Sequence, residues 1–104
     1  MTHKEAARLV AEMEDLPDYR GWRFTYEYPG YFHYSHADHP FSVLFTPDWE
    51  GDEVLPIQVT DDEGECYSEH CVILPLPREG RTGAKLHDLV RPTLDKLLER
   101  AAAT

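Results

Sequence analysis

Five short segments typical of β-strands follow one another in the middle of the chain, with connections too short for a crossover. In the first segment Trp22, Phe24 and Tyr26 alternate with polar residues, which is the period-two pattern of a half-buried strand. Turn-forming residues recur at short intervals, as in the Pro-Gly pair at 29–30 and the acidic run at 61–65. Parallel neighbours need connections of about a dozen residues, so the segments are predicted to form an antiparallel meander.

The strand boundaries follow from the same alternation and from the turns between the segments. Pro56 has no N–H to donate to a neighbouring strand, so the fourth strand is expected at a sheet edge or at a bulge. The five strands are predicted at residues 22–28, 31–36, 41–45, 54–60 and 66–74.

The register of the first hairpin decides which aromatic side chains share a face of the sheet. A two-residue turn at 29–30 would set Tyr26 opposite His33. Because side chains alternate along a strand, Phe32 and Tyr34 would then point to the face away from Tyr26. This register predicts aromatic side chains on both faces of the sheet.

A helix is predicted at each end of the chain. Thr2 and Glu5 have the spacing of a capping box, and the apolar residues that follow keep helical spacing, which predicts a helix over 3–15. Thr82 is a second candidate N-cap, and leucines at helical spacing continue from there to the C-terminus. Pro92 interrupts this second pattern, so a kink is expected near it.

These elements predict a single domain over residues 1–104 with an α+β fold. The chain is 41% hydrophobic, which suffices for one core at this length. The order is a helix, a five-stranded antiparallel meander and a C-terminal helix, which is expected to form a two-layer sandwich. Both helices are predicted to cover one sheet face, so the other face stays open.

Composition narrows the classes of partner. The formal net charge is −10, which argues against binding nucleic acid or an anionic membrane, and no apolar run has membrane length. The first residues lack the apolar stretch of a secretory signal, so a cytoplasmic location is expected. The two cysteines are too few for a disulfide framework and are expected to be reduced, since a bridge between them would require a turn.

The acidic charge is concentrated in the middle of the chain. Residues 24–77 contain no Lys or Arg, whereas they hold eleven of the twenty acidic residues. One interpretation is adaptation to a saline cytoplasm, since charge runs are usually solvated surfaces. The other is a negative surface that steers a basic partner.

The leading hypothesis is a small acidic, non-enzymatic protein-binding module, adaptor-like or inhibitor-like, that binds a basic protein through an acidic, aromatic sheet face. Aromatic side chains would anchor the partner and carboxylates would steer its approach. No cofactor is expected. The predicted partner-binding residues are Tyr34, Trp49, Glu50, Asp52, Asp61, Asp62 and Glu63.

The alternative is a metal-binding domain with histidine and cysteine ligands from the sheet. A zinc site needs about four convergent nitrogen or sulfur ligands, and the spacing here fits no known knuckle. Such a site would have to be assembled across strands. Its candidate ligands are His33, Cys66, His70 and Cys71.

The sequence also bears on catalysis and on self-association. An enzyme is not predicted, because the chain has no Gly-rich phosphate loop, no G-x-S-x-G elbow and no H-E-x-x-H helix. A homodimer is a second arrangement that the sequence allows. In it, the basic residues around the last helix would pair with the acidic sheet edge of a second copy; these residues are Arg78, Arg81, Lys85 and Arg91.

Overall fold

The computed structural model describes residues 2–27, 31–47 and 53–103 and confirms the predicted α+β fold. The sheet has five antiparallel strands in the order β1-β2-β3-β4-β5, as a meander requires. The elements in chain order are α1 (His3–Glu14), β1 (Trp22–Glu27), β2 (Tyr31–His36), β3 (Ser42–Phe45), β4 (Val54–Thr60), a 3₁₀ turn (Ser68–His70), β5 (Val72–Pro75) and α2 (Gly83–Ala102). None of these helices is long and apolar enough to span a bilayer.

Both helices begin at the threonines that the sequence singled out. The Thr2 hydroxyl accepts a hydrogen bond from the Glu5 N–H, and the Thr82 hydroxyl accepts one from the Lys85 N–H, both at 3.1 Å. α2 runs through Pro92 as one helix of 20 residues. Pro92 is exposed, so the hydrogen bond that it cannot donate is lost on the solvent side of the helix.

The core lies between the helices and one face of the sheet, here called the covered face. Its strand residues pack against Leu9 and Met13 of α1 and against the buried leucine stripe of α2. Gly83 allows the helices to approach closely, because a Cβ there would lie 2.7 Å from Glu12 Cβ and 2.9 Å from Met13 N. The buried strand residues of the covered face are Trp22, Phe32, Tyr34, Val43, Phe45, Leu55, Ile57 and Val59.

The predicted register of the first hairpin is wrong by one residue. Tyr26 pairs with Phe32 and Glu27 pairs with Tyr31, so three residues rather than two join the strands. A one-residue shift moves every side chain of a strand to the other face. The observed register buries Phe32 and Tyr34 beside Phe24 on the covered face, which removes two large aromatic groups from water.

The prediction for Pro56 is also wrong, since β4 lies inside the sheet between β3 and β5. The Pro56 carbonyl accepts a hydrogen bond from Thr46, just beyond the end of β3. The N and O of one residue in an antiparallel strand point to the same side. The missing donor of Pro56 therefore faces the end of β3 and breaks no bond within the ladder.

The fifth strand is shorter than predicted. Cys66 forms one isolated bridge with Thr60, the 3₁₀ turn follows, and β5 covers only Val72–Pro75. The Tyr67 N–H donates to the Val59 carbonyl at 2.9 Å, which ties the segment to β4 before it turns away. Cys66 and His70 therefore do not share a strand face.

Candidate protein-binding face

The face of the sheet away from both helices, here called the open face, is built from the alternate residues of the same strands. The strand pairing places Thr25, His33, Leu44 and Gln58 in one row across it. The next row contains Glu27 and Tyr31 on β1 and β2, and Pro56 and Ile73 on β4 and β5.

Four side chains of the open face form an apolar patch, here called the open-face patch: Tyr31, Leu44, Pro56 and Ile73. Ile73 is 71% exposed and Tyr31 is 46% exposed, although both are large hydrophobic residues. Together with the polar Thr46 and Gln58, the patch lines a surface depression of about 390 Å³. A contiguous exposed apolar surface is typical of a protein-binding site.

The charge beside the patch is negative. Glu27 is exposed and pairs with Tyr31 across the first hairpin. Arg23 is the only Lys or Arg on the strands that the structure describes, and it lies at the far end of β1, 4.0 Å from a carboxylate oxygen of Asp18. A cationic partner would therefore meet the Glu27 carboxylate beside the patch. The positive charge of Arg23 is too far along β1 to repel it strongly.

His33 lies in the middle of the open face, where its Nδ1 is 3.1 Å from the Thr25 hydroxyl. Partial burial lowers the pKa of His33, and the Glu27 charge opposes this shift only in part. The imidazole is therefore neutral at pH 7 and adds no positive charge to the open face.

Tyr34 does not lie on the open face, contrary to the sequence prediction. It is 3% exposed on the covered face, its ring stacks on Phe45, and its hydroxyl is 2.9 Å from His87 Nδ1. Burial raises the pKa of Tyr34, so the hydroxyl stays protonated. The predicted placement failed because the register of β2 is shifted by one residue.

The acidic residues predicted to steer a partner have different surroundings. Trp49, Glu50 and Asp52 lie outside the described residues. Asp62 and Glu63 are exposed on the turn that follows β4. This turn is about 16 Å along the chain from Pro56, at the rate of a strand, so it stands apart from the open-face patch.

Asp61 holds the turn together. Its Oδ1 accepts hydrogen bonds from the N–H groups of Glu65 at 2.9 Å and Glu63 at 3.0 Å, and its Oδ2 accepts one from the Tyr67 hydroxyl at 3.0 Å. These donors, with Glu65 first, lower the pKa of Asp61. The carboxylate of Asp61 is thus committed to the turn.

The four candidate metal ligands do not converge into one site. His33 is on the open face beside Thr25, whereas His70 Nε2 lies 3.4 Å from the Arg100 guanidinium of α2. The sulfurs of Cys66 and Cys71 approach to 3.8 Å. Throughout residues 2–27, 31–47 and 53–103, no three His, Cys, Asp or Glu side chains form a group that could hold a metal ion.

The homodimer prediction relied partly on residues that are occupied within the chain. Arg81 is 3% exposed and donates hydrogen bonds to the carbonyls of Leu76 and Pro77, so pairing with a second copy is wrong for this residue. The leucine stripe of α2 is buried against the sheet.

Sequence reasoning missed the four residues of the open-face patch. The alternation of β2 and β4 was visible, but it does not say which set of alternate residues the helices cover. The signal that could have found them is the pairing of Phe32 with Phe45, since two buried aromatic neighbours fix the covered face and leave Tyr31 and Leu44 on the other.

Comparison with known proteins found no family model that matches this sequence, and no curated protein or solved structure matches it either.

Proposed function

We propose that this chain is a small non-enzymatic protein-binding module that docks a basic segment of a partner protein on the open-face patch. The observation that carries the proposal is the exposure of Ile73 and Tyr31, 71% and 46%, on the uncovered face of the sheet. A stable monomer gains nothing from large apolar side chains in water, whereas a binding site uses them as anchors.

The charge pattern favours a cationic partner. The patch belongs to a stretch of 54 residues, 24–77, that has eleven acidic residues and no Lys or Arg. A segment with apolar side chains flanked by Lys or Arg fits such a surface, because its apolar groups would bury the patch and its charges would meet Glu27. The same acidity repels phosphate backbones, so the partner is a protein rather than a nucleic acid.

The three acids of the turn after β4 that were predicted to steer a partner differ in what their carboxylates do. Asp62 and Glu63 are exposed, and the hydrogen bonds that close the turn do not use their side chains. Both therefore remain candidates for steering a partner. Asp61 stays ionised and adds to the negative charge, but its carboxylate also closes the turn, so a change there would alter stability as well as charge. The turn is about 16 Å along the chain from Pro56, which exceeds the Debye length of ~8 Å at physiological salt. Steering by these acids is therefore expected at low salt, where it raises the association rate.

We propose that this function belongs to the cytoplasm, since two cysteines are too few for the disulfide framework of a small secreted domain. A second copy of the chain is the competing occupant of the open-face patch. The net charge of −10 disfavours it, because each copy would bring its own acidic surface to the interface.

Selection from a peptide display library tests the proposal directly. We expect the full chain to select peptides that combine Lys or Arg with apolar residues. Ile73→Ser should weaken the binding of a selected peptide by about tenfold or more, as for a central anchor. Val72→Ser is the matched control, because Val72 is the adjacent exposed residue of β5 but points to the other face.

Three results would contradict the proposal. They are the selection of acidic peptides, equal losses in the two serine variants, and no selected peptide at all. Sedimentation of the free chain distinguishes the competing occupant: a dimer that Ile73→Ser dissociates and Val72→Ser leaves intact would assign the patch to a second copy.

A further inference from the structure

The two cysteines lie side by side, although the sequence separates them by five residues. The sulfurs of Cys66 and Cys71 are 3.8 Å apart, which is contact distance for two thiols. On a continuous strand their Cα atoms would be about 16 Å apart, too far for a bridge. The observed proximity therefore requires the chain to double back between them.

The 3₁₀ turn produces this reversal. The His70 N–H donates to the Tyr67 carbonyl at 3.0 Å, and the Cys71 N–H donates to the Ser68 carbonyl at 3.1 Å. These bonds return the backbone toward β4 within one turn. The turn that a Cys66–Cys71 bridge would need is thus already present while both cysteines are free.

The two thiols have different surroundings. The Cys71 sulfur accepts a hydrogen bond from the Val59 N–H and donates one to the Tyr67 carbonyl, both at 3.4 Å. Cys71 is partly buried, whereas Cys66 is exposed. A reagent in solution reaches Cys66, and Cys71 is held beside it.

Contacts with α2 hold the segment that carries the pair. The Arg100 guanidinium lies 4.8 Å from the centre of the Tyr67 ring and forms an ion pair with Glu69. These contacts do not involve either sulfur, so they can persist when the sulfurs bond to each other. The separation of the thiols is therefore a property of the folded chain rather than of a loose loop.

We propose that Cys66 and Cys71 form a reversible redox site that a low-molecular-weight disulfide, of the class of glutathione disulfide, converts to an intramolecular disulfide. The thiolate of Cys66 attacks the reagent, which forms a mixed disulfide and releases one thiol. Cys71 then attacks the Cys66 sulfur, which forms the internal bond and releases the second thiol. Two protein thiols are oxidised and one reagent disulfide is reduced to two thiols.

The reaction is expected to be slow at neutral pH. The hydrogen bond with Cys71, and to a smaller extent burial, raise the pKa of the Cys66 thiol, so little of it is thiolate at pH 7. Incubation of the full chain with glutathione disulfide should therefore be followed over hours.

Mass spectrometry of the full chain measures the product. We expect the main product to lose two hydrogen atoms and to carry no glutathione, and to regain both hydrogens with dithiothreitol. It should exceed the mixed disulfide by about tenfold or more, because Cys71 attacks at the high effective concentration of a neighbouring group. Cleavage after glutamates separates residues 66–69 from residues 70–79, so the two peptides that carry the cysteines should stay joined only by the new bond.

Single serine variants provide the matched controls. Cys71→Ser removes the second attack, so we expect it to accumulate the glutathione adduct on Cys66. Cys66→Ser should react several-fold more slowly than Cys71→Ser, because its remaining thiol is partly buried. Circular dichroism would confirm that both variants are folded.

Several outcomes would overturn the proposal. They are a persistent glutathione adduct on the wild-type chain, covalent dimers as the main product, and thiols that stay unreacted under conditions that oxidise the same chain in urea. Equal rates for the two serine variants would overturn the assignment of Cys66 as the thiol attacked first.

Discussion

The covered and open faces take alternate residues of the same strands, yet they differ in what surrounds each side chain. Phe32 is fully buried on the covered face, whereas its neighbour Tyr31 is 46% exposed on the open face. On β4 and β5, Leu55 is fully buried and Ile73 is 71% exposed. Adjacent positions can therefore be changed with separate expected consequences: stability on the covered face and, under the proposed function, partner binding on the open face.

The largest effect is expected from truncating a covered-face aromatic. Phe32 contacts Phe24, Tyr26 and Phe45, so Phe32→Ala leaves a cavity and should lower the free energy of unfolding by about 3–5 kcal/mol. Tyr31→Ala, one residue away, should change it by no more than about 0.5 kcal/mol. Urea denaturation followed by circular dichroism measures both, and similar losses would refute the assignment of the two faces.

A smaller effect on stability is expected at the turn that follows β4, where the hydrogen-bonded Asp61 is followed by the exposed Asp62. Asp61→Asn removes the charge that accepts three hydrogen bonds, so it should lower the Tm. Asp62→Asn should leave the Tm unchanged and should instead slow association with a basic partner at low salt. Thermal melts and stopped-flow association rates separate the two roles, and equal Tm values for both variants would contradict them.

Acid should remove the contribution of Asp61. Its pKa is lowered in the folded chain, so the unfolded chain binds protons first as the pH falls. The stabilisation is complete above the usual aspartate value of 3.8 and is lost as the pH falls through the lowered pKa. The Tm difference between the wild-type chain and Asp61→Asn should therefore shrink below about pH 4.

The smallest effect is the response of the two faces to mild acid. Burial lowers the pKa of His87 behind the covered face and of His33 on the open face. The folded chain then binds fewer protons than the unfolded chain, so stability falls as the pH drops below the usual histidine value of 6.5. We expect His87→Gln and His33→Gln each to flatten this slope in denaturant titrations between pH 7 and pH 5. An unchanged slope in both variants would exclude these histidines as its source.

Local signals in the sequence were sufficient for the elements, because helix caps and strand alternation depend on near neighbours. Thr2 and Thr82 start the helices where their side chains can accept backbone hydrogen bonds, and the meander follows from the short connections. The residues around Pro56 do not predict that it lies inside the sheet. A proline is tolerated there because β3, its neighbour, ends just before the position that would accept the missing hydrogen bond.

The composition of the open face was harder to predict because it depends on register, and register changes with one residue of turn length. A two-residue turn at 29–30 predicts Tyr34 on the open face, whereas the observed register places it on the covered face and Tyr31 on the open face. The thiol pair was missed for a related reason. Residues 66–71 fit a strand by composition, whereas the 3₁₀ turn is stabilised by contacts with Val59 and Arg100 that are distant in the chain.

The position of Ile73 also bears on how the chain avoids polymerising. β5 is the last strand of the sheet, and an edge strand with an exposed isoleucine is a template on which other chains can add strand by strand. β5 has only four residues, and it ends at Pro75, which has no N–H to offer a further strand. The short edge that ends in proline therefore offers little backbone for a further strand, which lowers the risk of open-ended growth from the exposed isoleucine.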